Sequence, residues 1–317
     1  MPTTPPEPSQ AETRPPGKAA AQAQEKAAVL REALPWITRF HGATVVIKYG
    51  GNAMVDEDLK RSLAADVALL HFVGLRPVLV HGGGPQIDEV SQRMGLERHF
   101  EGGLRVTDDD TMDVVRMVLL GKVNPELVGL VTEVGAPAIG VSGTDAGLLQ
   151  VSPARGPQGE DLGRVGQVTS VNPGVLQRIL DEYFVPVVAT VGRDDEGLDR
   201  NVNSDAAAGA IAAALDAAKI VYLTDVGGLY QDPDEPDSLI SELPVHRLAG
   251  MLQDQSIGGG MRPKAASVVH ALSHGVAQAH LLDGRMRHAL LLEIFTDEGV
   301  GTMVTSRGST PDAGNAR

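Results

Sequence analysis

The sequence predicts an α/β fold built on a mostly parallel sheet. Two apolar strands carry that prediction: Val45–Ile47 runs into Lys48, and Pro77–Val80 runs into His81. Each ends in a glycine cluster followed by a helical pattern, the arrangement that sets ligands at the carboxyl edge of a parallel sheet. Composition agrees, since 37 glycines and 42% hydrophobic residues with only 3% aromatics suit a glycine-looped enzyme. At 317 residues the chain can form one large domain or two lobes with ample core.

In chain order, residues 1–18 are rich in Pro, Thr and Glu and have little to bury, so they read as a disordered tail. Residues 19–42 follow a helical pattern through Ala28, Val29, Leu30, Ala33, Leu34, Ile37 and Phe40, with Pro35 expected to kink or divide the helix. Placed ahead of the first core strand, this helix suits packing on a neighbouring subunit or back on its own. Next comes Val45-Val46-Ile47-Lys48-Tyr49-Gly50-Gly51-Asn52, a strand closing on a lysine and two glycines. Backbone N–H groups freed by glycines, beside a positive charge, suit a phosphate. Alone, the same run favours an ordinary strand-to-helix turn with a solvent lysine.

Asp58–Val73 reads as an amphipathic helix stopped by Gly74, and a further helix begins near Pro85 after His81-Gly82-Gly83-Gly84. Thr107, with Asp110 three residues on, is expected to cap the helix carrying Met112, Val115 and Leu119. Pro125 should interrupt that helical run. A strand at Ala138–Val141, a hairpin or excursion within Gly156–Gln167, a helix at Val175–Glu182 and a strand at Val185–Ala189 follow. The second half gives Asn201-Val202-Asn203-Ser204-Asp205, an alanine-rich helix to Leu215, and the strand Ile220–Thr224 ending on Asp225, which could touch a ribose or a metal. A solvated loop through Asp232, Asp234, Glu235 and Asp237 precedes Gly258-Gly259-Gly260-Met261-Arg262-Pro263-Lys264, which opens another helix. The strand Ala279–Leu282, a helix near Arg287–Ile294 and a short strand Gly301–Val304 close the chain.

Charge excludes several functions. Lys+Arg 27 against Asp+Glu 41 leaves a net charge of −14, which argues against nucleic acid or an anionic membrane as partner. With no cysteine there can be no disulfide, thiolate nucleophile or thiolate metal site. No run of about 18 apolar residues and no signal-peptide pattern is present, so a cytoplasmic protein is expected.

Three cations, Lys48, Arg105 and Lys264, stand at or beside glycine loops. Phosphoryl transfer asks for little more, because the protein mainly aligns the reactants and neutralises charge on the moving group. Neither a P-loop nor a G-x-G-x-x-G pattern occurs. Each residue also has an ordinary reading. Arg105 could pair with Asp108–Asp110, Asp205 could be a helix-start acid favoured by the dipole, and Lys264 could sit in solvent. His81 suits a loop-shaping role better than proton transfer.

Five motifs in fixed order carry a family resemblance: Ile47-Lys48-Tyr49-Gly50-Gly51-Asn52-Ala53-Met54, His81-Gly82-Gly83-Gly84-Pro85-Gln86-Ile87, Gly103-Leu104-Arg105-Val106-Thr107, Asn201-Val202-Asn203-Ser204-Asp205 and Gly259-Gly260-Met261-Arg262-Pro263-Lys264. From about residue 25 to 305 the chain resembles the acetylglutamate kinases of the amino-acid kinase superfamily. The resemblance implies a three-layer α/β/α sandwich in two lobes, with residues 43–191 binding the amino acid and 192–317 binding ATP. It implies transfer of the γ-phosphoryl of ATP to the side-chain carboxylate of N-acetyl-L-glutamate, the second step of arginine biosynthesis. Lys48 and Lys264 would stabilise the transferring group and Asp205 would hold both lysines. Backbone N–H groups of Gly50, Gly51, Gly82, Gly83 and Gly84 would line the phosphoryl and substrate path. Arg105 would fork onto the α-carboxylate, and Asn201 would bind the same substrate. Mg²⁺ would arrive with the nucleotide, held by phosphates, so no protein metal ligand is assigned.

Relatives with such an N-terminal helix form hexamers by interlacing it and are inhibited by arginine; here His280, Glu293 and Gly299 match their effector site. Thr144 departs from the pattern, standing where relatives often carry lysine. Alternatives are a kinase of an acylated aminoadipate or another amino acid, and a non-catalytic amino-acid sensor. A hydrolase reading of the His81–Gly84 loop fails, since Gly140-Val141-Ser142-Gly143-Thr144 lacks the last glycine of a nucleophile turn. Deleting residues 1–42 should abolish hexamers on size-exclusion chromatography and weaken arginine inhibition; intact hexamers would contradict the interlaced helices.

Overall fold

The computed structural model describes residues 18–232, 235–296 and 299–306, so the expected tail and Asp234 lie outside the described residues or, at Lys18, at their edge. The chain begins with helix α1 (Lys18–Phe40), followed by β1 (Thr44–Tyr49), α2 (Glu57–Phe72), β2 (Arg76–His81) and α3 (Gly84–Arg93). A short hairpin, β3 (Phe100–Glu101) and β4 (Leu104–Arg105), leads to α4 (Asp109–Val118), α5 (Asn124–Glu133) and β5 (Ala138–Ser142). Next are β6 (Leu149–Arg155), β7 (Asp161–Val171), α6 (Gly174–Asp181), β8 (Val185–Ala189), β9 (Val191–Arg193), β10 (Asp199–Val202) and α7 (Ser204–Ala214). The remainder is β11 (Lys219–Thr224), β12 (Glu242–Pro244), α8 (Val245–Gln253), α9 (Met261–Ser273), β13 (Gln278–Asp283), α10 (Ala289–Phe295) and β14 (Thr302–Thr305).

Eight strands form one sheet in the order β12-β14-β13-β11-β1-β2-β8-β5, parallel throughout except where β13 meets β14. Successive residues of a strand face opposite sides, and here both sides are apolar. On one face Val45, Ile47, Leu79, Val187 and Val221 join α2, α4, α5 and α10. On the other, Val46, Val78, Val80, Val188 and Ile220 join α6, α7, α8 and α9. The result is the expected three-layer sandwich. The strand order reverses at β1, with β2 on one side and β11 on the other, and at such a switch point the loops leaving neighbouring strands diverge and open a crevice. Those loops are Gly50–Gly51, Gly82–Gly84 and Asp225.

Four expectations need correction or refinement. Thr107 is not a helix cap: its backbone bonds Leu162 and Arg164 and its hydroxyl donates to the Arg105 carbonyl, so Asp108 caps α4 by accepting from the Thr111 N–H at 2.8 Å. Pro125 does not break the helical run. A π-turn at Leu119–Val123, with the Asn124 N–H bonded to the Leu119 carbonyl, carries α4 into α5 and leaves the proline in a first turn. Pro35 does not divide α1, which runs unbroken from Lys18 to Phe40 with the proline on its exposed side. The excursion near residues 156–167 is a β6–β7 hairpin that closes with β9 and β10 into a small barrel. As for α1, Trp36 and Phe40 pack into the chain's own core, while Leu30 and Leu34 are exposed.

Asp66 of α2 is buried and its Oδ1 lies 2.6 Å from Nδ1 of His288, which precedes α10 with φ of 60°. Burial pushes the Asp66 carboxyl up to about 6 against the opposing pull of the His288 bond. The folded state therefore holds this proton more tightly than the unfolded chain, and that stabilisation, full below about pH 4, is lost as pH rises through about 6. Asp66→Asn cannot lose it. The melting temperature of the wild type should fall relative to this variant between pH 4 and 6 and then run level, as followed by circular dichroism; a gap independent of pH would contradict it.

Candidate functional site

Lys48 and Lys264 belong to opposite halves of the chain and meet at one carboxylate. Lys48 is the penultimate residue of β1, and its Nζ lies 2.9 Å from Oδ1 of Asp205. Lys264, in the first turn of α9, reaches Oδ2 of the same residue at 3.4 Å. Asp205 sits in the first turn of α7, which is capped by the Asn203 side chain accepting from the Asp205 and Ala206 N–H groups. Burial pushes the Asp205 carboxyl up, but the two ammonium groups outweigh it and hold the group below the usual carboxylate range. The side chains of Lys48 and Asp205 are each 6% exposed and that of Lys264 is 22% exposed, so the second lysine faces the open side.

At two glycines beside this cluster a side chain would displace a charged neighbour. A Cβ on Gly50 would lie 2.6 Å from the Lys48 Nζ. Gly51 has φ of +77°, and its Cβ would lie 2.5 Å from Asp225 Oδ1. Asp225, at the end of β11, accepts from the Asn52 N–H at 2.8 Å and from the Asn52 amide at 3.3 Å, which ties the first glycine loop to the neighbouring strand.

A cavity of about 480 Å³ opens at the carboxyl edge of the sheet. Gly51, Gly82, Gly83 and Gly84 line it together with Arg105, Asn201 and Asp225. Lys48, Gly50, Asp205 and Lys264 are not among its lining residues; they adjoin it through Gly51 and Ser204. Arg105 does not pair with the acids at the start of α4. Its Nη2 lies 2.7 Å from Asp88 Oδ1 of α3, its guanidinium stacks 4.7 Å over the Phe100 ring, and its side chain is 8% exposed. Asn201 of β10 donates to the Thr107 hydroxyl at 3.1 Å, linking the barrel to the Arg105 segment. His81 is buried, with Nδ1 2.8 Å from the Gly82 carbonyl and Nε2 3.0 Å from the Asn124 amide. Burial lowers its pKa to about 4, so it is neutral at pH 7 and shapes its loop.

Chemically the cavity offers backbone donors at one end, two cations beside it, and an arginine with a planar fork at the other. Such a site aligns an anionic polyphosphate with a small carboxylic acid. Among the described residues no group of three or more His, Cys, Asp or Glu side chains gathers as a metal site. Both Asp225 oxygens are engaged by Asn52 and Asp88 is engaged by Arg105, so the donors present fit a metal carried on phosphates rather than one held by the protein.

His280, Glu293 and Gly299 meet elsewhere, at a second cavity of about 300 Å³. His280 Nδ1 lies 2.6 Å from Glu293 Oε1, and Glu293 Oε2 accepts from the Val300 N–H at 2.8 Å. Burial pushes the Glu293 carboxyl up, yet the His280 bond, the Val300 N–H and the charge of Lys219 together hold it down. Trp36, Arg39 and Phe40 of α1 form another wall. Asp88 and Lys219 were not singled out from the sequence. A lone acid on a helix and a lysine opening a strand carry no signal that distinguishes them from surface residues.

A family model described as the amino acid kinase family matches residues 43–283. The chain is 51% identical over 290 residues to the acetylglutamate kinase of Saccharopolyspora erythraea, covering 90% of this chain and 95% of that one. It is 54% identical over 288 residues to the acetylglutamate kinase of Acidothermus cellulolyticus, covering 89% and 97%. Among solved structures, N-acetylglutamate synthase from Neisseria gonorrhoeae, complexed with coenzyme A and N-acetyl-glutamate, superposes with a TM-score of 0.79 at 27% identity. That match takes in 89% of this chain but 64% of the synthase, so the chain spans just under two thirds of that protein's length. Carbamate kinase from Giardia lamblia bound to AMP-PNP shares the fold, with a TM-score of 0.63 at 19% identity over 84% of this chain and 99% of the other.

Proposed function

The chain belongs to the amino acid kinase family, and on that premise we propose that it phosphorylates the side-chain carboxylate of N-acetyl-L-glutamate with ATP, the second step of arginine biosynthesis. The observation that carries this reading is the convergence of Lys48 and Lys264 on Asp205 beside a glycine-lined cavity ending in Arg105.

The acceptor carboxylate is ionised near neutral pH, so the reaction needs alignment and charge neutralisation rather than a general base. Lys48 and Lys264 stabilise the charge that spreads over the transferring phosphoryl group, and Asp205 keeps their ammonium groups facing one point. The N–H groups of Gly50, Gly51 and Gly82 receive phosphate oxygens, and those of Gly83 and Gly84 the substrate. Arg105 exchanges its partner Asp88 for the substrate's α-carboxylate, with Asn201 binding the same molecule. A divalent cation, Mg²⁺ in this reading, would be carried on the nucleotide's phosphates and would supply neutralisation of their charge. The amino-acid lobe is residues 43–191 and the ATP lobe 192–317, in a cytoplasmic enzyme.

Two finer points belong to the same reading. The cavity joining His280, Glu293 and Gly299 to α1 is an arginine site, in which Glu293 receives a cationic group of the effector. The exposed Leu30 and Leu34 of α1 are covered by the same helix of a second subunit, giving a hexamer of three dimers.

A hydroxylamine-trapping assay with acetylglutamate, glutamate, aspartate and an acetylated aminoadipate tests the substrate, with acetylglutamate expected to be strongly preferred. Lys48→Ala and Lys264→Ala should each cost roughly 10³-fold or more in kcat with the fold intact by circular dichroism. Near-normal turnover in either would remove the mechanism. Arg105→Ala should chiefly raise KM for acetylglutamate, because it binds ground and transition states alike; an unchanged KM would contradict its role.

A further inference from the structure

Asp205 and Lys264 lie on different helices, and nothing in the reaction scheme fixes one helix against the other. Lys48 is placed by its strand, whose partners on both sides are buried. Lys264 has no such frame. It follows the loop Gly258–Gly260, its side chain is more exposed than that of Lys48, and its contact to Asp205 is longer, 3.4 Å against 2.9 Å. Apolar packing of Ala265, Val268 and Ala271 holds α9 to the core, and Arg262 Nη1 donates to the Leu252 carbonyl of α8 at 3.0 Å, but neither contact is a directional bond that sets its register along α7.

One hydrogen-bonded chain supplies that register. Ser267, three residues beyond Lys264 and so on the neighbouring turn of α9, donates its hydroxyl to the main-chain carbonyl of Asp205 at 2.5 Å. The hydroxyl of Tyr222, on β11, lies 2.6 Å from Ser267 Oγ. Ser267 has a single hydroxyl hydrogen and a carbonyl cannot donate, so Tyr222 is the donor to Ser267. Burial pushes the ionisation of Tyr222 far up, so the phenol keeps its proton. Ser267 is buried and Tyr222 is fully buried, which keeps water out of the chain. Gly209, one turn beyond Asp205 on α7, completes the arrangement: a Cβ there would lie 2.5 Å from Ser267 Oγ and 3.3 Å from the Tyr222 hydroxyl. A glycine in mid-helix costs roughly 0.5–1 kcal/mol relative to alanine, and here it lets the two helices approach.

We propose that Ser267, backed by Tyr222, is a positioning residue for phosphoryl transfer: it locks α9 to the Asp205 main chain and so sets where the Lys264 ammonium group meets the Asp205 carboxylate. The inference rests on the reading that Asp205 and Lys264 serve the reaction. Neither hydroxyl touches substrate. Both act through Lys264.

Because they act through Lys264, their loss must vanish when that lysine is absent. Turnover would be followed with radiolabelled ATP in the full chain, at a temperature well below every variant's melting point. Ser267→Ala should lose roughly 10- to 100-fold in kcat, the scale of an ångström-level misplacement, with KM for acetylglutamate unchanged. Tyr222→Phe, which removes one oxygen, should lose roughly two- to tenfold. In a Lys264→Ala background neither change should lower kcat further. An equal fold-loss in both backgrounds, or wild-type kcat in Ser267→Ala and Tyr222→Phe, would overturn the inference. Tyr222→Phe in both backgrounds decides the matter if Ser267→Ala does not fold. Wild-type turnover of Lys264→Ala alone would instead overturn the role of the lysine on which the inference rests.

Discussion

The structure depends on one buried carboxylate held between two ammonium groups. Asp205 is almost without solvent, and a lone carboxylate there would be driven to take up a proton. Lys48 and Lys264 reverse that tendency, and in doing so each is fixed to one of the two oxygens. A buried ion triad of this sort is a poor source of stability, since desolvation consumes most of the attraction. Its effect is to keep two like charges adjacent without a ligand, a geometry that a transferable phosphate can enter with little rearrangement.

The sheet explains why these groups can meet. At β1 the strand order turns back, so the loops leaving β1, β2 and β11 face one crevice even though the last comes from the other half of the chain. Glycines at Gly50 and Gly51 leave no Cβ against Lys48 and Asp225, so the backbone can close on the ion cluster. The β6–β7 hairpin and its barrel then bring Asn201 to Thr107, which joins the wall carrying Arg105 to the strand leading into α7. Arg105, meanwhile, is already desolvated and charge-paired with Asp88, so on the proposed reading an incoming carboxylate would exchange one anionic partner for another without desolvating the guanidinium afresh.

A second, separate polar cluster lies at the far side of the sheet. His280, Glu293 and Lys219 are buried around a cavity whose remaining wall is the end of α1. Lys219 lies 4.7 Å over the Phe40 ring and 3.3 Å from His280 Nε2, and burial lowers its pKa to about 8. Since β11 carries Lys219 at its start and leads to Asp225 at its end, one rigid strand runs between the two cavities.

Much of this was legible in the sequence, because local pattern and chemistry coincided there. Apolar strands ending in glycines announced the parallel sheet and its ligand edge; Lys48, Arg105 and Lys264 stood out as charges beside glycine loops, and the family resemblance added Asp205. What sequence could not resolve was competition among partners. Thr107 had the spacing of a helix cap, but its backbone and hydroxyl were already bonded to the barrel and to Arg105, so Asp108 took the cap. Pro125 had the look of a break, but a π-turn shifted the hydrogen-bond register around it. Asp88, Lys219, Ser267 and Tyr222 carried no mark at all, since Arg105 meets Asp88 across 17 residues of sequence, His280 meets Lys219 across 61 and Tyr222 meets Ser267 across 45, and only folding brings them within reach. The sequence by itself determined the kinds of element and the charges available at their ends, which follow from local sterics and burial pattern. The tertiary structure alone decided which charge neutralises which, because that depends on distances that strand order and helix register impose.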